Sequence, residues 1–419
     1  MGKALLVARP SSAALASGDE ITLFGYGSDT TAEGNAQASC TEAATFSNLR
    51  ARVFSGGSGT NNFQFRDAGA DGSELVSFAG ASTEEDATNT DVLSAGDLFN
   101  IAYTDTGTNS SIAWIVANIT LSSGHGNFHG QAGYSGLVFD AQSTTNFIGF
   151  CGNLGADGSA TEDQVEWKVR GYDSFEALQV RVTANARTNN SDFRNRINGG
   201  DGTGLCQFTS GATGLIQDTG LADAITDGQT VNASITLDIG LQDLTVSFIA
   251  ATLKSSTSKS ETFCGSLIAG VARTASATAH YFPIGGALPG LTDLTEANAR
   301  IKVGFAAIVS NLRCYLSANT YTGNGTLKLY QNGSAVITTT ITASGGAAWY
   351  ENTSDTITID ADDELSFEFD EGTSGDITIH SVGITFAPVA AGGVQQFVMF
   401  PPRMDGIGRG GIFPGDRVQ

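Results

Sequence analysis

The sequence predicts an all-β protein built from three tandem jelly-roll-like β-sandwich modules with extended terminal arms. The composition is the first observation, because 53 glycines and only 15% charged residues among 419 favour short strands joined by turns. The second is a stretch that occurs three times at intervals of about 130 residues, which is the size of a domain. The third is an alternation of apolar and polar residues over short segments that end at glycine or aspartate, which is typical of strands and hairpins.

The repeated stretch has the pattern of a strand entering a core, because an apolar residue, two small or polar residues and a leucine precede an alternating run. Each copy follows a segment of glycine and aromatic residues and precedes a turn with a strand, and then a closing strand. Four landmarks in one order, three times, indicate three related modules. The three copies are 46–53, 175–182 and 309–316, the preceding segments are 23–27, 147–152 and 281–286, and the closing strands are 113–121, 244–253 and 377–386.

These landmarks divide the chain. About eight short strands in each module fit a two-sheet sandwich; we favour a jelly roll, and other Greek-key sandwiches stay open. The acidic run 83–91 is predicted to be a loop, and Asn332-Gly333 predicts a tight hairpin. The predicted parts are an N-terminal arm (1–19), the first module (20–122), a Gly-rich linker (123–136), the second module (137–254), the third module (255–386) and a C-terminal anchoring tail (387–419).

Charge and cysteine content narrow the function. The net charge of −22 disfavours nucleic acid as a partner, since that affinity comes largely from lysine and arginine neutralising phosphates. Five cysteines without metal-site spacing indicate reduced, buried thiols. The apolar run near the N-terminus is too short for a signal-peptide core, and no segment is long enough to insert into a membrane. We therefore expect folding in a cytoplasm without a signal peptide.

No motif predicts catalysis or a cofactor. His125 and His129 are four residues apart, but their glycine-rich context argues against a helical zinc site. The acidic runs 84–86 and 360–364 have oxygen ligands for a structural calcium ion, although solvated turns explain them more simply. Trp114 has the setting of a core residue. Trp349 follows two glycines and two alanines, which predicts an exposed loop tip and a candidate platform for stacking on sugars.

The segment after residue 386 has its own composition, with four of the seven prolines and two of the three methionines. It is too short for a core, and exposed apolar side chains need a partner. We therefore predict an anchoring tail, with a disordered terminus as the alternative. The predicted partner-binding residues are Phe397, Met399, Phe400, Arg403, Met404, Arg409, Ile412 and Phe413.

Several of these patterns resemble repeated jelly-roll modules in structural proteins of tailed bacteriophages, such as head decoration proteins, head fibres and tail fibres. The resemblance rests on 46–53, on 309–313, on the alternating strand with its Asn-Gly turn at 327–333, and on the acidic turn before the penultimate strand. It covers about residues 20–386. The second module departs from it, because Glu176-Ala177 replaces Ser-Asn and Gln179 replaces the first arginine of the repeat.

The resemblance implies a non-enzymatic structural protein on the surface of a virion, either a capsid decoration or cement protein or a fibre. Three sandwiches in series would assemble through strand edges and terminal arms, by analogy as a homotrimer, with other capsid or tail proteins as partners. One alternative is a glycan-binding adhesin or receptor-binding fibre that takes a host surface glycan. Another is a self-assembling subunit of a surface layer or filament. An enzyme ranks last.

Overall fold

The computed structural model describes residues 4–8, 17–21, 33–55, 59–107, 111–122, 126–139, 145–150, 158–237, 242–257, 259–265, 271–274, 279–287, 295–370 and 373–389. Within these ranges nearly all regular structure is β-strand, and the helical elements are three short turns, α1 (Glu33–Ala36), α2 (Glu296–Ala299) and a 3₁₀ turn (Glu162–Gln164). The all-β prediction is confirmed. No helix in the described part of the chain is long and apolar enough to cross a membrane.

In the described residues the first sandwich has nine strands in two sheets. One sheet has the order β1-β9-β4-β7, and the other has the order β2-β8-β5-β6 with β3 added to β8. The strands are β1 (Ala4–Ala8), β2 (Asp19–Ile21), β3 (Ala38–Ser39), β4 (Ala44–Ser55), β5 (Asn61–Asp67), β6 (Ala70–Phe78), β7 (Thr83–Leu93), β8 (Leu98–Asp105) and β9 (Ser111–Leu121).

The second sandwich repeats this arrangement with the sheets β10-β18-β13-β16 and β11-β17-β14-β15, and β12 pairs with β17. Its strands are β10 (Gly126–Phe139), β11 (Thr145–Ile148), β12 (Trp167–Lys168), β13 (Ser174–Asn185), β14 (Ser191–Ile197), β15 (Gly200–Phe208), β16 (Gly214–Ala224), β17 (Thr230–Leu237) and β18 (Leu244–Lys254).

The third sandwich has the sheets β22-β19-β29-β24-β27 and β21-β28-β25-β26, with β20 on β29 and β23 on β28. Its strands are β19 (Ser260–Gly265), β20 (Val271–Thr274), β21 (His280–Pro283), β22 (Gly286–Ala287), β23 (Ile301–Lys302), β24 (Ala307–Asn319), β25 (Gly325–Gln331), β26 (Ser334–Ile341), β27 (Ala348–Ile359), β28 (Glu364–Asp370) and β29 (Asp376–Ala387).

All three sandwiches share one topology. When the eight main strands of each are counted along the chain, one sheet runs first-eighth-third-sixth and the other runs second-seventh-fourth-fifth. This order is that of a jelly roll, in which the two sheets face each other across one core. Each pair of sheets encloses its own cluster of buried apolar side chains, including Phe46 and Phe65 in the first, Phe175 and Phe193 in the second, and Phe367 in the third.

The repeated stretch forms the third main strand of each sandwich, namely β4, β13 and β24. Its Ser-Asn pair marks a β-bulge, because the pairing with the sixth main strand shifts after Ser47 and after Ser310. Asn48 and Asn311 both have φ of 54°, a left-handed conformation that asparagine tolerates better than most residues. The predicted Asn-Gly hairpin is also confirmed, with Gln331 paired to Ser334 across the turn from β25 to β26.

Three segments differ from their predictions. The run 83–91, predicted to be a loop, belongs to β7, an edge strand exposed along most of its length, so that charged side chains there meet water. The predicted linker 123–136 contains most of β10, the first strand of the second sandwich. Glycine weakens a strand but does not prevent this one, which pairs with β18 on both sides of a register shift between Ala132 and Leu137. The predicted arm 1–19 includes β1, which pairs with β9. The other module limits stay predictions.

Candidate functional site

The surfaces through which the sandwiches contact one another contain buried polar side chains, hydrogen bonds and ion pairs. The closing strands β9, β18 and β29 are buried on both faces over most of their described length. One face lies in the strand's own core, and the other packs on a neighbouring sandwich. Val116 of β9 joins the core of the third sandwich, and Phe248 and Ala250 of β18 join the core of the first.

The fifth residue of the repeated stretch lies at the centre of each interface. Arg313 donates from Nε to the Lys168 carbonyl at 2.7 Å, which joins the third sandwich to the second. Gln179 donates from Nε2 to the Ser39 carbonyl at 2.9 Å, which joins the second to the first. Arg50 lies against Gly304, which joins the first to the third.

The three contacts run third to second, second to first and first to third, so the sandwiches form a closed ring. The first two contacts use equivalent positions, because Ser39 and Lys168 each end the short strand that pairs with the seventh main strand. Gly304 lies two residues beyond Lys302, which ends the same short strand in the third sandwich. When each unit joins the next through the same two different surfaces, the assembly closes into a ring if the rotation between successive units adds up to a full turn. Here three sandwiches complete the ring. The expectation of three sandwiches in series is therefore corrected.

Among the described residues, ion pairs lie at the rim of two of the three interfaces. Lys168 Nζ is 2.7 Å from Glu351 Oε1, and Lys302 Nζ is 3.2 Å from Glu85 Oε2. These pairs are equivalent, since Glu85 and Glu351 each lie opposite the central arginine of their own sandwich, as Gln217 lies opposite Gln179. The interface between the first and second sandwiches has uncharged residues, Ser39 and Gln217, at these two positions.

A buried carboxylate completes the interface between the second and third sandwiches. Glu261 of β19 is fully buried, and its Oε1 accepts hydrogen bonds from the Arg170 backbone N–H at 2.6 Å and the Thr385 hydroxyl at 2.9 Å. Arg313 Nη2 lies 2.9 Å from the same oxygen. Burial raises the pKa of Glu261 above its usual value, and the charge of Arg313 opposes that rise. The pair therefore stabilises the interface only while both partners are present.

The same interface surrounds the aromatic residue that the sequence predicts to be a sugar platform. Trp349 is half-buried in β27 and is not at a loop tip. Its ring lies 5.4 Å from the ring of Tyr315, and Lys168 Nζ is 5.9 Å from the Trp349 ring centroid. The prediction of an exposed platform is therefore wrong, because the neighbouring sandwich covers this strand. The side chain of Trp114 lies outside the described residues.

The two acidic runs do meet, but a lysine lies between them. Lys302 Nζ is 2.9 Å from Asp362 Oδ1 in addition to its contact with Glu85. Asp363 accepts hydrogen bonds from the Asp360 backbone N–H and from Asn332 and so closes the turn before β28. Among the described residues no group of three or more His, Cys, Asp or Glu side chains is arranged to hold a metal ion. The calcium site stays a prediction without a ligand set.

The remaining candidate residues have different outcomes. Cys40, Cys206 and Cys314 are buried, free thiols, and burial raises the pKa of Cys40 and of Cys206 to about 12. The side chain of His129 and all of His125 lie outside the described residues. So do all the predicted residues of the anchoring tail, namely Phe397, Met399, Phe400, Arg403, Met404, Arg409, Ile412 and Phe413.

The sequence contains a signal for these interfaces that the module-by-module interpretation missed. The closing strands are apolar or small at successive positions, as in 115–117 and 248–251. A strand with one face in water alternates, whereas a continuous apolar run indicates burial on both faces. Arginine or glutamine at the fifth position of each repeat then gives the buried polar contact.

Comparisons with known proteins add little. No protein-family model and no curated protein matches the chain. Among solved structures, the chain is similar to the major capsid protein P2 from bacteriophage PM2, with 10% identity, a TM-score of 0.18, and coverage of 64% of this chain and 99% of that chain. The infectious bursal disease virus Gx strain matches at 14% identity and a TM-score of 0.18, over 64% of this chain and 72% of that one.

An enzyme is similar at the same level. The Arthrobacter globiformis T6 isomalto-dextranase complexed with panose shows 12% identity and a TM-score of 0.19, over 52% of this chain and 34% of that chain. The match therefore spans about a third of the length of the dextranase. At these TM-scores none of the likenesses carries an argument about function, which depends on the ring itself.

Proposed function

We propose that the chain is a non-enzymatic structural protein of a virus particle, located on the particle surface as a decoration or cement protein or as part of a fibre. The observation that carries the proposal is the closed ring of three equivalent jelly rolls. Its interior is occupied by buried apolar strands and by paired charges such as Arg313 and Glu261. A ring held together in this way suits a rigid building block, and the net charge of −22 keeps its exterior soluble.

Contacts with the particle would use strand edges and the tail. Within the described part of the chain, the fifth main strands β6, β15 and β26 end their sheets, and each pairs with one strand. An edge strand carries N–H and C=O groups that a strand of another chain can continue. Side-chain carboxylates of the following strand already occupy some of these N–H groups, at 73–75 of β6 and at 203 and 205 of β15. Leu75 of β6 and Val92 of β7 are exposed apolar side chains on such edges, at 42% and 71% of their full accessibility. The predicted homotrimer belongs to this proposal.

Fractionation of particles tests the proposal. Particles from lysates of the cells that express this chain are banded on a density gradient, washed in high salt and analysed by quantitative mass spectrometry. The chain is expected in the particle band at a fixed ratio to the most abundant capsid protein. Recovery only from the soluble fractions would contradict a structural role.

A truncated chain separates the tail from the ring in the same experiment. A chain that ends at Val389, the last described residue, keeps every strand of the ring. If the tail anchors the ring, the truncated chain stays folded by circular dichroism but moves to the soluble fractions. Retention of the truncated chain on the particles would assign the anchor to the ring itself.

A further inference from the structure

A cavity of about 190 Å³ lies at the interface between the first and second sandwiches. It opens to solvent beside Thr219 and Gly220 of β16, which are exposed. At about 30 Å³ per molecule, the cavity has room for about six waters. Both sandwiches contribute to the rest of its wall, through Thr41 and Glu42 of the first and Glu176, Ala177, Thr252 and Lys254 of the second.

Irregular strand pairing creates this cavity. Strand β13 changes register against both β16 and β18 between Phe175 and Ala177. Glu176 therefore lies in a β-bulge, a feature that redirects a side chain and is frequent beside functional sites. On β16, opposite the bulge, Gly220 has φ of 77°, and nothing lies within 4 Å of the place where its Cβ would stand. The bulge and the glycine together leave the space open.

The wall of the cavity carries hydrogen-bond donors as well as acceptors. The carboxylates of Glu42 and Glu176 accept, the ammonium of Lys254 donates, and the hydroxyls of Thr41 and Thr252 do both. The two hydroxyl oxygens are 3.1 Å apart. Glu176 Oε2 and Lys254 Nζ have no hydrogen-bond or ion-pair partner among the described residues. An acceptor and a donor are therefore both available to a ligand.

The three charged residues of the cavity are absent from the equivalent positions of the other two interfaces. Between the second and third sandwiches, side chains of β19 fill the corresponding space, because a Cβ at Gly171 would stand 2.9 Å from Lys259 Cβ and 3.6 Å from Glu261 Cγ. The cavity is therefore a property of one interface and not of the repeat. The equivalent residues are Gly171 and Phe305 for Glu42, Ser47 and Ser310 for Glu176, and Thr120 and Ala387 for Lys254.

A neutral ligand rich in hydroxyl groups matches this wall. Each hydroxyl donates to a carboxylate or accepts from an ammonium, and hydrogen bonds to charged groups are the stronger ones. The carboxylates of Glu42 and Glu176 repel an anion, and Lys254 repels a cation. An apolar ligand would take these charges out of water without replacing their hydrogen bonds.

We propose that the cavity binds one pyranose unit of a glycan. Glu42 and Glu176 accept hydrogen bonds from sugar hydroxyls, and Lys254 donates to a sugar oxygen. The described residues of the wall include no aromatic side chain, so no ring stacks on the sugar and we expect a Kd on the order of 1 mM. The site goes beyond the structural role proposed above, and its test needs the purified full chain and no particle.

Ligand-observed NMR tests the proposal. Saturation-transfer difference spectra of the full chain are recorded during titration with the methyl glycosides of glucose, galactose, mannose and N-acetylglucosamine. At least one of these four is expected to give a saturable signal with a Kd on the order of 1 mM. Absence of a saturable signal with all four, from protein that is folded by circular dichroism, would overturn the proposal.

Three variants assign the binding to this cavity. Glu176→Ser, which introduces the serine found at 47 and 310, is expected to weaken binding about tenfold or more, because a hydrogen bond to a charged group is lost. Lys254→Thr, which introduces the threonine found at 120, should weaken it in the same direction and keeps the test decisive if the first variant folds poorly. Ser310→Ala, at the equivalent bulge of the third sandwich, is the matched control and should keep the affinity of the wild type. Unchanged binding in both cavity variants, or loss of binding in Ser310→Ala, would refute the assignment.

Crystals soaked in the glycoside that binds best give a direct readout. The proposal predicts density for a pyranose ring within hydrogen-bonding distance of Glu176 and Lys254. A parallel soak in calcium chloride tests the competing occupant. A calcium ion between Glu42 and Glu176, together with a cavity that contains no sugar in the first soak, would replace the proposal with a cation site.

Discussion

Removing the Glu261 carboxylate is the most demanding test of the ring, and Glu261→Leu does this with little change in volume. The variant leaves the Arg313 guanidinium fully buried without its partner and leaves the Arg170 N–H and the Thr385 hydroxyl without an acceptor. Breaking a buried pair from one side costs about 3–5 kcal/mol. We expect about 3 kcal/mol, because Arg313 keeps its bonds to the Lys168 and Asn311 carbonyls.

A double-mutant cycle isolates the pair. Arg313→Gln places at this position the residue that the second sandwich has at position 179, and alone it is expected to cost about 2–3 kcal/mol because Glu261 then stays buried without a cation. Each single variant leaves the other residue buried without a partner. The loss of stability in the double variant should therefore be smaller than the sum of the two single losses by about 1–2 kcal/mol. Urea denaturation followed by tryptophan fluorescence is a suitable assay, because Trp167 and Trp349 lie beside Lys168 in this interface. Additive costs, within about 0.5 kcal/mol, would refute the view that the two residues act as a pair.

Four other outcomes are expected. Burial raises the pKa of Glu74 to about 8, so the folded state keeps a proton that the unfolded state releases, and the stability falls as the pH rises from about 4.5 to 8. Glu74→Gln should flatten that fall and stabilise the protein at pH 8 by roughly 1–3 kcal/mol. Urea denaturation at several pH values checks this. Burial lowers the pKa of His380 to about 4, so stability falls as the pH drops from about 6.5 to 4, and His380→Gln should remove this loss in the same assay. Gly304→Ala should cost about 1–3 kcal/mol, because its Cβ would stand 2.6 Å from a buried guanidinium nitrogen, whereas Gly80→Ala, with open space around it, should change Tm little. Light scattering should give the mass of three chains for the full protein and for a chain ending at Val389, and the mass of one chain in both would contradict the homotrimer.

The strands inside each sandwich are predictable because local chemistry determines them. The bulge at Asn48 and the hairpin at Asn332-Gly333 need residues that tolerate positive φ, and the alternating runs reveal which face of a strand is buried. The same local reasoning fails at β7 and β10. An edge strand such as β7 exposes both faces and therefore carries the charges of a loop, and the glycines of β10 imitate a linker.

The ring itself is harder to predict from the sequence than the strands are, because the type of a residue does not show which other module it contacts. Arg313 and Arg50 both follow Ser-Asn-Leu in the repeat, yet of these two only Arg313 forms an ion pair among the described residues. Its carboxylate comes from β19, about 50 residues earlier in the chain. Trp349 illustrates the opposite error, because its glycine-rich approach indicates a loop tip until a neighbouring sandwich covers it. Pairing across modules depends on the assembled surfaces, and a single sequence does not record it.

The differences among the three interfaces have a consequence for docking. In a ring of three identical chains every seam changes together, and the object looks the same after each third of a turn. Here, among the described residues, the seam with Ser39 and Gln217 has uncharged side chains at the two positions where the seams with Glu85 and Glu351 have an ion pair. The three sandwiches therefore share one shape but do not present identical surfaces. On a partner with exact threefold symmetry the ring would dock in three azimuths with equal energy, and a label on one sandwich would be seen at each azimuth in a third of the particles. Only an asymmetric partner would select one orientation.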